Sequence, residues 1–171
     1  MKTRLRNLLW VFMALTLLLA GTTLVCAYDI SFSDVPESSW FYEDVMTLSE
    51  SGVVSGYPDG TYRPTKKVTT GESLKMILLA AGYPEPERAE SHWARGYLNF
   101  ALEAGMLERG EITDLDINMS RILTAKVTAR ALGATRQDLT QKFTDTNDDF
   151  AHALSEIGII GGYPGGTFRP E

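Results

Sequence analysis

Residues 56–64 read GYPDGTYRP, and residues 162–170 return as GYPGGTFRP two periods of 53 residues later. The stretch before each loop recurs as well: ESGVV at residues 50–54 becomes EAGML at residues 103–107 and EIGII at residues 156–160. A fixed period of this size is typical of stacked supersecondary units that bury their apolar faces against one another. The pattern favours a packing or binding module over an enzyme with a single cleft.

Each unit is predicted to contain a helix, a glycine stop, a loop and a second helix. In the first unit, Ser38 or Ser39 is expected to cap a helix over about 40–51, with Gly52 in the left-handed position after it. The second helix begins with a Thr-x-x-Glu capping box at residues 69–72. Apolar residues spaced three or four positions apart support both helices.

The second unit follows the same order, with a helix over about 91–104 and a second helix that is capped by Ser120 and ends near Gly133. The third unit opens with residues 143–145, which echo residues 32–34, and it stops before a second helix. The chain is therefore predicted to be mostly α-helical, built from helix-loop-helix repeats. The predicted boundaries are a signal peptide at 1–27 and repeats at 28–82, 83–138 (with a degenerate loop) and 139–171 (truncated).

The N-terminus has the pattern of a secretory signal peptide. Three cations at positions 2, 4 and 6 precede an almost wholly apolar segment at residues 8–21, and cleavage is expected after Ala27. The alternative of a retained membrane helix is disfavoured because the apolar run is short for a full span. A lipid anchor on Cys26 is the other alternative, although Val25 fits poorly immediately before a lipidated cysteine.

Charge and cysteine content exclude several classes of function. The full chain has a net charge of −6, and loss of the three N-terminal cations would make it −9. The sequence has no basic stripe of the kind that binds nucleic acid. Cleavage would also remove the single cysteine, leaving no thiol for disulfides or metal. We expect no cofactor, no nucleic-acid partner and no stable membrane insertion after cleavage.

Evidence for a metal or catalytic site is weak. Asp145, Asn147, Asp149 and Glu156 match the first, third, fifth and twelfth positions of a calcium loop. Phe150, however, stands where that loop needs glycine. The two histidines lie far from any second histidine or cysteine, and no catalytic triad or paired carboxylates can be argued. The sequence predicts neither a metal site nor an enzyme.

The motifs together resemble a known family. Phe-x-Asp-Val at residues 32–35, the glycine-bounded loop at 52–64 and the Thr-x-x-Glu helix start at 69–72 are similar to those of the S-layer homology domain. The resemblance covers about residues 32–171. It implies a pseudo-threefold, mostly helical spindle that holds secreted proteins on the bacterial surface. Such domains bind wall-linked polysaccharide, often carrying negatively charged pyruvylated sugars, in grooves between repeats.

In that family, the arginine of a Thr-Arg-Ala-Glu motif at the second-helix start is a main contact for the anion. This chain has Thr70 at that position in the first unit and Arg121 in the second. The second unit lacks the Gly-Tyr-Pro loop, which is replaced by ERGE at residues 108–111, whereas the third unit keeps the loop. A groove between neighbouring units would combine the arginine of one unit with the loop of another.

The remaining candidates have structural alternatives. Arg63 and Arg169 occupy the same loop position, and we favour a structural role in which they bind carbonyls of the turn. Trp40 and Trp93 could stack on sugar rings, but core packing is the favoured interpretation. The tyrosines beside the loop prolines are better candidates for the groove. The candidate polysaccharide-binding residues are Arg121, Tyr57, Arg63, Tyr163, Arg169, Trp40 and Trp93.

These features predict a secreted, non-catalytic module that anchors to the bacterial cell wall. The expected partner is an acidic secondary wall polysaccharide, of the kind that often carries pyruvylated sugars, or another polymer linked to peptidoglycan. Two alternatives remain open. In one, the repeats have decayed into a structural or protein-interaction module. In the other, the chain is the anchor fragment of a longer surface enzyme or S-layer protein.

Overall fold

The computed structural model describes residues 30–138 and 140–171, so the predicted signal peptide at 1–27 lies outside the described residues. Within these ranges the chain forms five helices and no strand, which confirms the predicted α class. The helices are α1 (Tyr42–Glu50), α2 (Thr70–Ala80), α3 (Arg95–Glu103), α4 (Arg121–Leu132) and α5 (Asp149–Glu156).

The second helices of the first two units begin as predicted. Thr69 and Glu72 form a reciprocal capping box at the start of α2. At the start of α4, the Ser120 hydroxyl accepts the Leu123 N–H at 3.3 Å. Gly133 ends α4 with a φ of 64°, the left-handed conformation that glycine adopts without a side-chain clash. Local capping chemistry therefore fixes both helices.

The first helices of these two units begin later than predicted. Neither Ser38 nor Ser39 caps α1, because Ser39 lies in a turn in which its N–H donates to the Pro36 carbonyl at 2.9 Å. In the second unit, the His92 ring accepts the Ala94 N–H at 3.1 Å, which forms a turn just before α3. Turns thus occupy the positions where the sequence suggested a first helical turn.

Each second helix begins against the loop of the following unit. The Gly71 N–H in α2 donates to the Leu115 carbonyl at 2.9 Å, and the Ile122 N–H in α4 donates to the Pro170 carbonyl at 2.9 Å. A side chain at Gly71 would put its Cβ 2.8 Å from the Cβ of Ala94, so only glycine allows this close approach. Helix N-termini therefore join neighbouring units.

The largest apolar cluster joins the first two units. It contains Leu74 and Leu78 from α2, Leu98 from α3 and Val127 from α4, all buried. A second cluster packs α4 against the third unit through Ala125, Ala129, Phe143, Leu154 and Phe168.

The third unit therefore packs its core against the second helix of the preceding unit. Only part of its apolar surface is covered in this way. Ile157 and Ile159 remain 56% and 55% exposed, as expected for a unit without its own second helix among the described residues.

Candidate functional site

The two Gly-Tyr-Pro loops share one backbone framework. The Tyr57 N–H donates to the Thr61 carbonyl at 2.8 Å, and the Tyr163 N–H donates to the Thr167 carbonyl at the same distance. These bonds close the same tight turn in both loops. The repeated sequence therefore produces the same hydrogen-bonded turn, although the backbone differs at two positions: Gly56 and Gly165 are left-handed, whereas their counterparts Gly162 and Asp59 are not.

An aspartate from the start of each unit holds the end of its loop. The Asp34 carboxylate accepts the backbone N–H groups of Tyr62 and Arg63, each at 2.7 Å. Asp145 does the same for residues 168–169, at 2.7 and 2.8 Å. These bonds lower the pKa of both aspartates. Sequence reasoning assigned no such role to either residue, although the recurrence of Phe-x-Asp before both loops was a usable signal.

Both loop arginines lie over a tyrosine of their own loop. The Arg63 guanidinium carbon is 4.1 Å from the Tyr57 ring centroid, and that of Arg169 is 4.1 Å from the Tyr163 ring centroid. Their φ values of 61° and 59° are left-handed, a strained region for arginine that the two aspartates help to hold. The expected bonds from these side chains to turn carbonyls are absent among the described residues, so that prediction is wrong.

The first loop neutralises its own arginine. Arg63 Nη2 lies 2.7 Å from Asp59 Oδ2, and its Nε donates to the Thr61 hydroxyl at 3.1 Å. Hydrogen bonds from Thr61 and Arg63 lower the pKa of Asp59 to about 2. Asp59 is therefore ionised at neutral pH, and the charge of Arg63 is matched within the loop.

Tyr57, the tyrosine of the first loop, is held by hydrogen bonds to two side chains. Its hydroxyl donates to Glu72 Oε1 at 2.8 Å and accepts from Lys66 Nζ at 2.6 Å. Burial alone would raise the pKa of Glu72, but hydrogen bonds from the Thr69 N–H, Lys66 and Tyr57 outweigh burial and lower it to about 2. Lys66 and Glu72 form an ion pair at 3.0 Å, so a second cation beside this loop is neutralised.

A groove of about 360 Å³ lies between the first loop and α2. Tyr57, Arg63, Met76 and Trp93 contribute to its lining. Trp93 is 38% exposed and Trp40 is 89% exposed, so the expectation that both pack in the core is wrong. Both precede a first helix, in segments that form surface turns. Trp93 flanks the groove, whereas Trp40 lies apart from it and contacts Phe41 edge to face.

The third loop lacks the aspartate that pairs with the arginine of the first loop. Gly165 stands where the first loop has Asp59. Among residues 30–138 and 140–171, the Arg169 guanidinium has no hydrogen bond and no ion pair; its one aromatic partner is Tyr163. The nearby Asp145 carboxylate is engaged by the two backbone N–H groups at the end of the loop. The charge of Arg169 is therefore available at the surface.

Arg121 approaches the same tyrosine from the preceding unit. Its guanidinium carbon lies 5.3 Å from the Tyr163 ring centroid and 4.9 Å from that of Phe168. Nη2 donates to the Gly161 carbonyl at 3.2 Å, and Nε is buried without an acceptor among the described residues. The fold thus brings Arg121, from the second unit, and Arg169, from the third, to the same tyrosine, Tyr163.

Comparison with known proteins identifies the repeats. Residues 31–72 and 142–171 match the S-layer homology domain. These two stretches are S-layer homology repeats. Relatives include an S-layer protein of Bacillus licheniformis, 26% identical over 86% of this chain and 18% of the relative. Cell surface glycoprotein 1 of Acetivibrio thermocellus is 26% identical over 68% of this chain and 6% of the relative.

A third relative carries an enzyme's name. It is described as an uncharacterized cell wall amidase of Bacillus anthracis, and it is 28% identical over 82% of this chain and 29% of the relative. The chain spans between 6% and 29% of the length of these three proteins. The matches indicate a location at the cell surface or cell wall. In the described part of the chain, no helix is long and apolar enough to cross a membrane.

The middle unit lies between the two matched S-layer homology repeats and has a different loop chemistry. Lys126 pairs with Glu111 and lies 3.6 Å from Glu108, and its hydrogen bond to Glu111 lowers the pKa of that carboxyl. Arg130 donates to the Met106 carbonyl at 3.1 Å. These two cations of α4 are therefore engaged within the protein.

The acidic residues of the weak calcium pattern have other partners in this chain. Asp145 holds the third loop, and the Glu156 carboxylate accepts the N–H groups of Gln137 and Asp138 at 2.9 and 3.1 Å. Among residues 30–138 and 140–171, no three metal-ligating side chains come together. These residues act as structural acceptors.

Proposed function

We propose that this chain is a secreted, non-catalytic anchoring module that binds an acidic cell-wall polysaccharide in the groove between its second and third units. One observation carries the proposal: Arg121 and Arg169, from different units, approach a single exposed tyrosine, Tyr163, and neither pairs with a carboxylate among the described residues. The resemblance to S-layer and cell-surface proteins supports a wall polymer as the ligand.

The side chains suit a carboxylated sugar. A guanidinium presents a planar fork of donors that matches the two oxygens of a carboxylate. Arg121 packs on the ring of Phe168, which is fully buried. The ring of Tyr163 contacts both arginines and limits the positions of their side chains. Because the side chains are already ordered, less rotamer entropy is lost when the ligand binds.

Overall charge opposes this ligand, so local charge must provide the attraction. The chain carries a net charge of −6. Long-range steering of an acidic polymer is therefore unfavourable, and binding depends on short-range contacts in the groove. The groove of the first repeat adds Lys67 and Lys75, which gives the polymer a second cationic surface on the same molecule.

A protein-interaction role is the second candidate. It is favoured by large apolar side chains on the surface, above all Trp40, together with Ile157 and Ile159. Exposed apolar residues of this size are typical of contact surfaces when they are grouped. In this alternative the repeats assemble with another surface protein, and the arginine groove is incidental.

Sedimentation with purified walls distinguishes the two functions. The purified protein is mixed with walls before and after extraction of their acidic secondary polymer, and released polymer serves as a competitor. The proposal predicts that the protein pellets with intact walls, stays in solution with stripped walls, and is displaced by the free polymer. Equal sedimentation with stripped walls would contradict it. If Trp40→Ala, and not Arg121→Ala, abolished wall association, the protein-interaction role would be favoured.

A further inference from the structure

We infer that Gly165 makes Arg169 a second anion contact beside Arg121, whereas Asp59 withdraws the equivalent Arg63 from ligand binding. The two loops of one molecule would then differ in specificity: the third loop binds the charged group of the polymer, and the arginine of the first loop does not. The identity of the natural ligand rests on the proposed function. The difference in anion binding between the two loops does not rest on the proposed function, because small anions can test it directly.

The inference depends on how closely the loops match elsewhere. Arginine lies 4.1 Å from its tyrosine in both, with nearly the same φ. An aspartate holds the loop end through two backbone N–H groups in both. Along the nine-residue motif the sequences differ at two positions, where Asp59 and Tyr62 are replaced by Gly165 and Phe168. Only the first of these differences changes the charge beside the arginine.

Asp59 occupies the position beside Arg63 that the carboxylate of a ligand would take. Its Oδ2 lies 2.7 Å from Arg63 Nη2, and its Oδ1 accepts from the Thr61 hydroxyl at 2.6 Å. An external carboxylate at Arg63 would have to displace a carboxylate that is tethered four residues away and is therefore always present at high local concentration. Beside Arg169 the equivalent position is Gly165, and the nearby Asp145 carboxylate is engaged by two backbone N–H groups.

At the first loop the second cation, Lys66, is paired with Glu72, whereas the third loop receives a second guanidinium, that of Arg121. The corresponding residue in the first unit is Thr70, whose hydroxyl donates to the Ile117 carbonyl at 3.0 Å. Two guanidinium groups near one tyrosine repel each other unless an anion lies between or beside them. The expected ligand class is therefore an oxyanion carried on a sugar ring, with a carboxylate as the best match for two planar forks.

The test compares aspartate and asparagine at the same position, so that the two side chains match in shape and differ in charge. Gly165 has a φ of 93°, which strains any side chain, so Gly165→Asp is compared with the isosteric, neutral Gly165→Asn. Asp59→Asn is the reciprocal change and removes the charge that neutralises Arg63. The arginine Nε–H signals of Arg63, Arg121 and Arg169 are followed by NMR during titration with D-glucuronate, with D-glucose as the neutral control.

In the parent protein, glucuronate is expected to shift the Arg121 and Arg169 signals saturably and to leave Arg63 unmoved, while glucose shifts none of them. Gly165→Asp should weaken glucuronate binding roughly 10-fold or more, the value of a lost charge-assisted hydrogen bond, and Gly165→Asn should stay within about threefold. Asp59→Asn should produce a new response at Arg63. A parallel titration with inorganic phosphate that shifts Arg121 and Arg169 more strongly would support the same pair of cations with a phosphate-bearing polymer.

The inference is overturned if Gly165→Asp binds glucuronate as well as the parent, if Gly165→Asn weakens binding equally, or if neither anion shifts Arg169. These outcomes are separate from the wall experiment. If the protein shows the predicted glucuronate pattern but does not sediment with polymer-bearing walls, the inference stands and the proposed function is wrong. If the protein binds walls and Gly165→Asp leaves that binding unchanged, the proposed function stands and the inference is wrong.

Discussion

The first and third Gly-Tyr-Pro loops have almost the same sequence and the same backbone hydrogen bonds, but they present different charges. In the first loop, Arg63 pairs with Asp59. In the third, Gly165 replaces the acid, and Arg121 arrives from the neighbouring unit. The comparison teaches that the motif specifies a scaffold, whereas one exposed turn residue decides whether its arginine is used internally or is available to a ligand.

The buried side of the two loops also differs. Phe168 is fully buried between α4 and the third unit, whereas Tyr62 is only partly buried beside the small cluster of Phe32, Val35 and Val45. Helix α4 of the preceding unit covers the third loop. Among the described residues, no helix covers the first loop in the corresponding way. The third loop should therefore contribute more to stability.

Truncating the aromatic residue of each loop gives the largest expected difference. Phe168→Ala removes a fully buried ring and should lower the free energy of unfolding by about 3–5 kcal/mol. Tyr62→Ala should cost clearly less, because that ring is already partly solvated. Denaturant unfolding of the two variants measures both values. Equal losses would show that the loops are equally covered.

The glycine that begins each Gly-Tyr-Pro loop, Gly56 or Gly162, provides the next test. At Gly56 an added Cβ would lie 2.2 Å from Phe32 Cε1, and φ is 65°, so Gly56→Ala meets both a clash and a left-handed backbone. Gly162 lacks the left-handed φ, and its Cβ would lie 3.0 Å from Phe143 Cε1. We expect Gly56→Ala to cost about 2–4 kcal/mol and Gly162→Ala about 1 kcal/mol. Thermal unfolding with both alanine variants tests the order, and the reverse order would contradict the geometry.

The smallest stability effect concerns Glu72, which has no acidic counterpart in α4, where Leu123 occupies the position. Glu72→Gln weakens the capping box and the contact with Lys66, and should cost about 1 kcal/mol at pH 7. The folded pKa of Glu72 is about 2, below its ordinary value of 4.5. Its contribution is therefore complete above about pH 4.5 and is lost as the pH falls towards 2.

The measurement for Glu72 is the difference in unfolding free energy between parent and Glu72→Gln at several pH values. Asp34 and Asp145 also have lowered pKa values, but they are present in both proteins and cancel in the difference. A difference that stayed constant from pH 7 to pH 3 would show that the charge of Glu72 does not contribute.

Local signals in the sequence predicted much of this fold. The capping residues Thr69 and Ser120 and the stop at Gly133 were identified correctly, because capping depends on residues within a few positions of one another. The caps assigned to Ser38 and Ser39 failed because a polar residue before an apolar pattern fits a turn as well as a helix start.

Contacts between distant residues were harder to predict. The exposure of Trp40 depends on which surfaces are left uncovered, and composition does not contain that information. That Arg121 meets a loop of another unit was anticipated only through the family resemblance, which implied grooves between units, and the sequence did not indicate which loop it meets. The pairing of Arg63 with Asp59 was missed, although the two residues are only four positions apart.

The most direct test of the central claim is the affinity of the protein for solubilised wall polymer, measured by calorimetry with two matched arginine variants. We predict that Arg121→Ala weakens binding roughly 10- to 100-fold, because a charged hydrogen-bonding group is lost from the groove. Arg63→Ala should change binding by no more than about twofold, because an exposed pair such as Arg63 with Asp59 is internally satisfied and worth little. Arg121→Lys, which keeps the charge but not the planar fork, controls for folding and should lie between them. Equal losses for Arg121→Ala and Arg63→Ala, or an unchanged affinity for Arg121→Ala, would contradict the account.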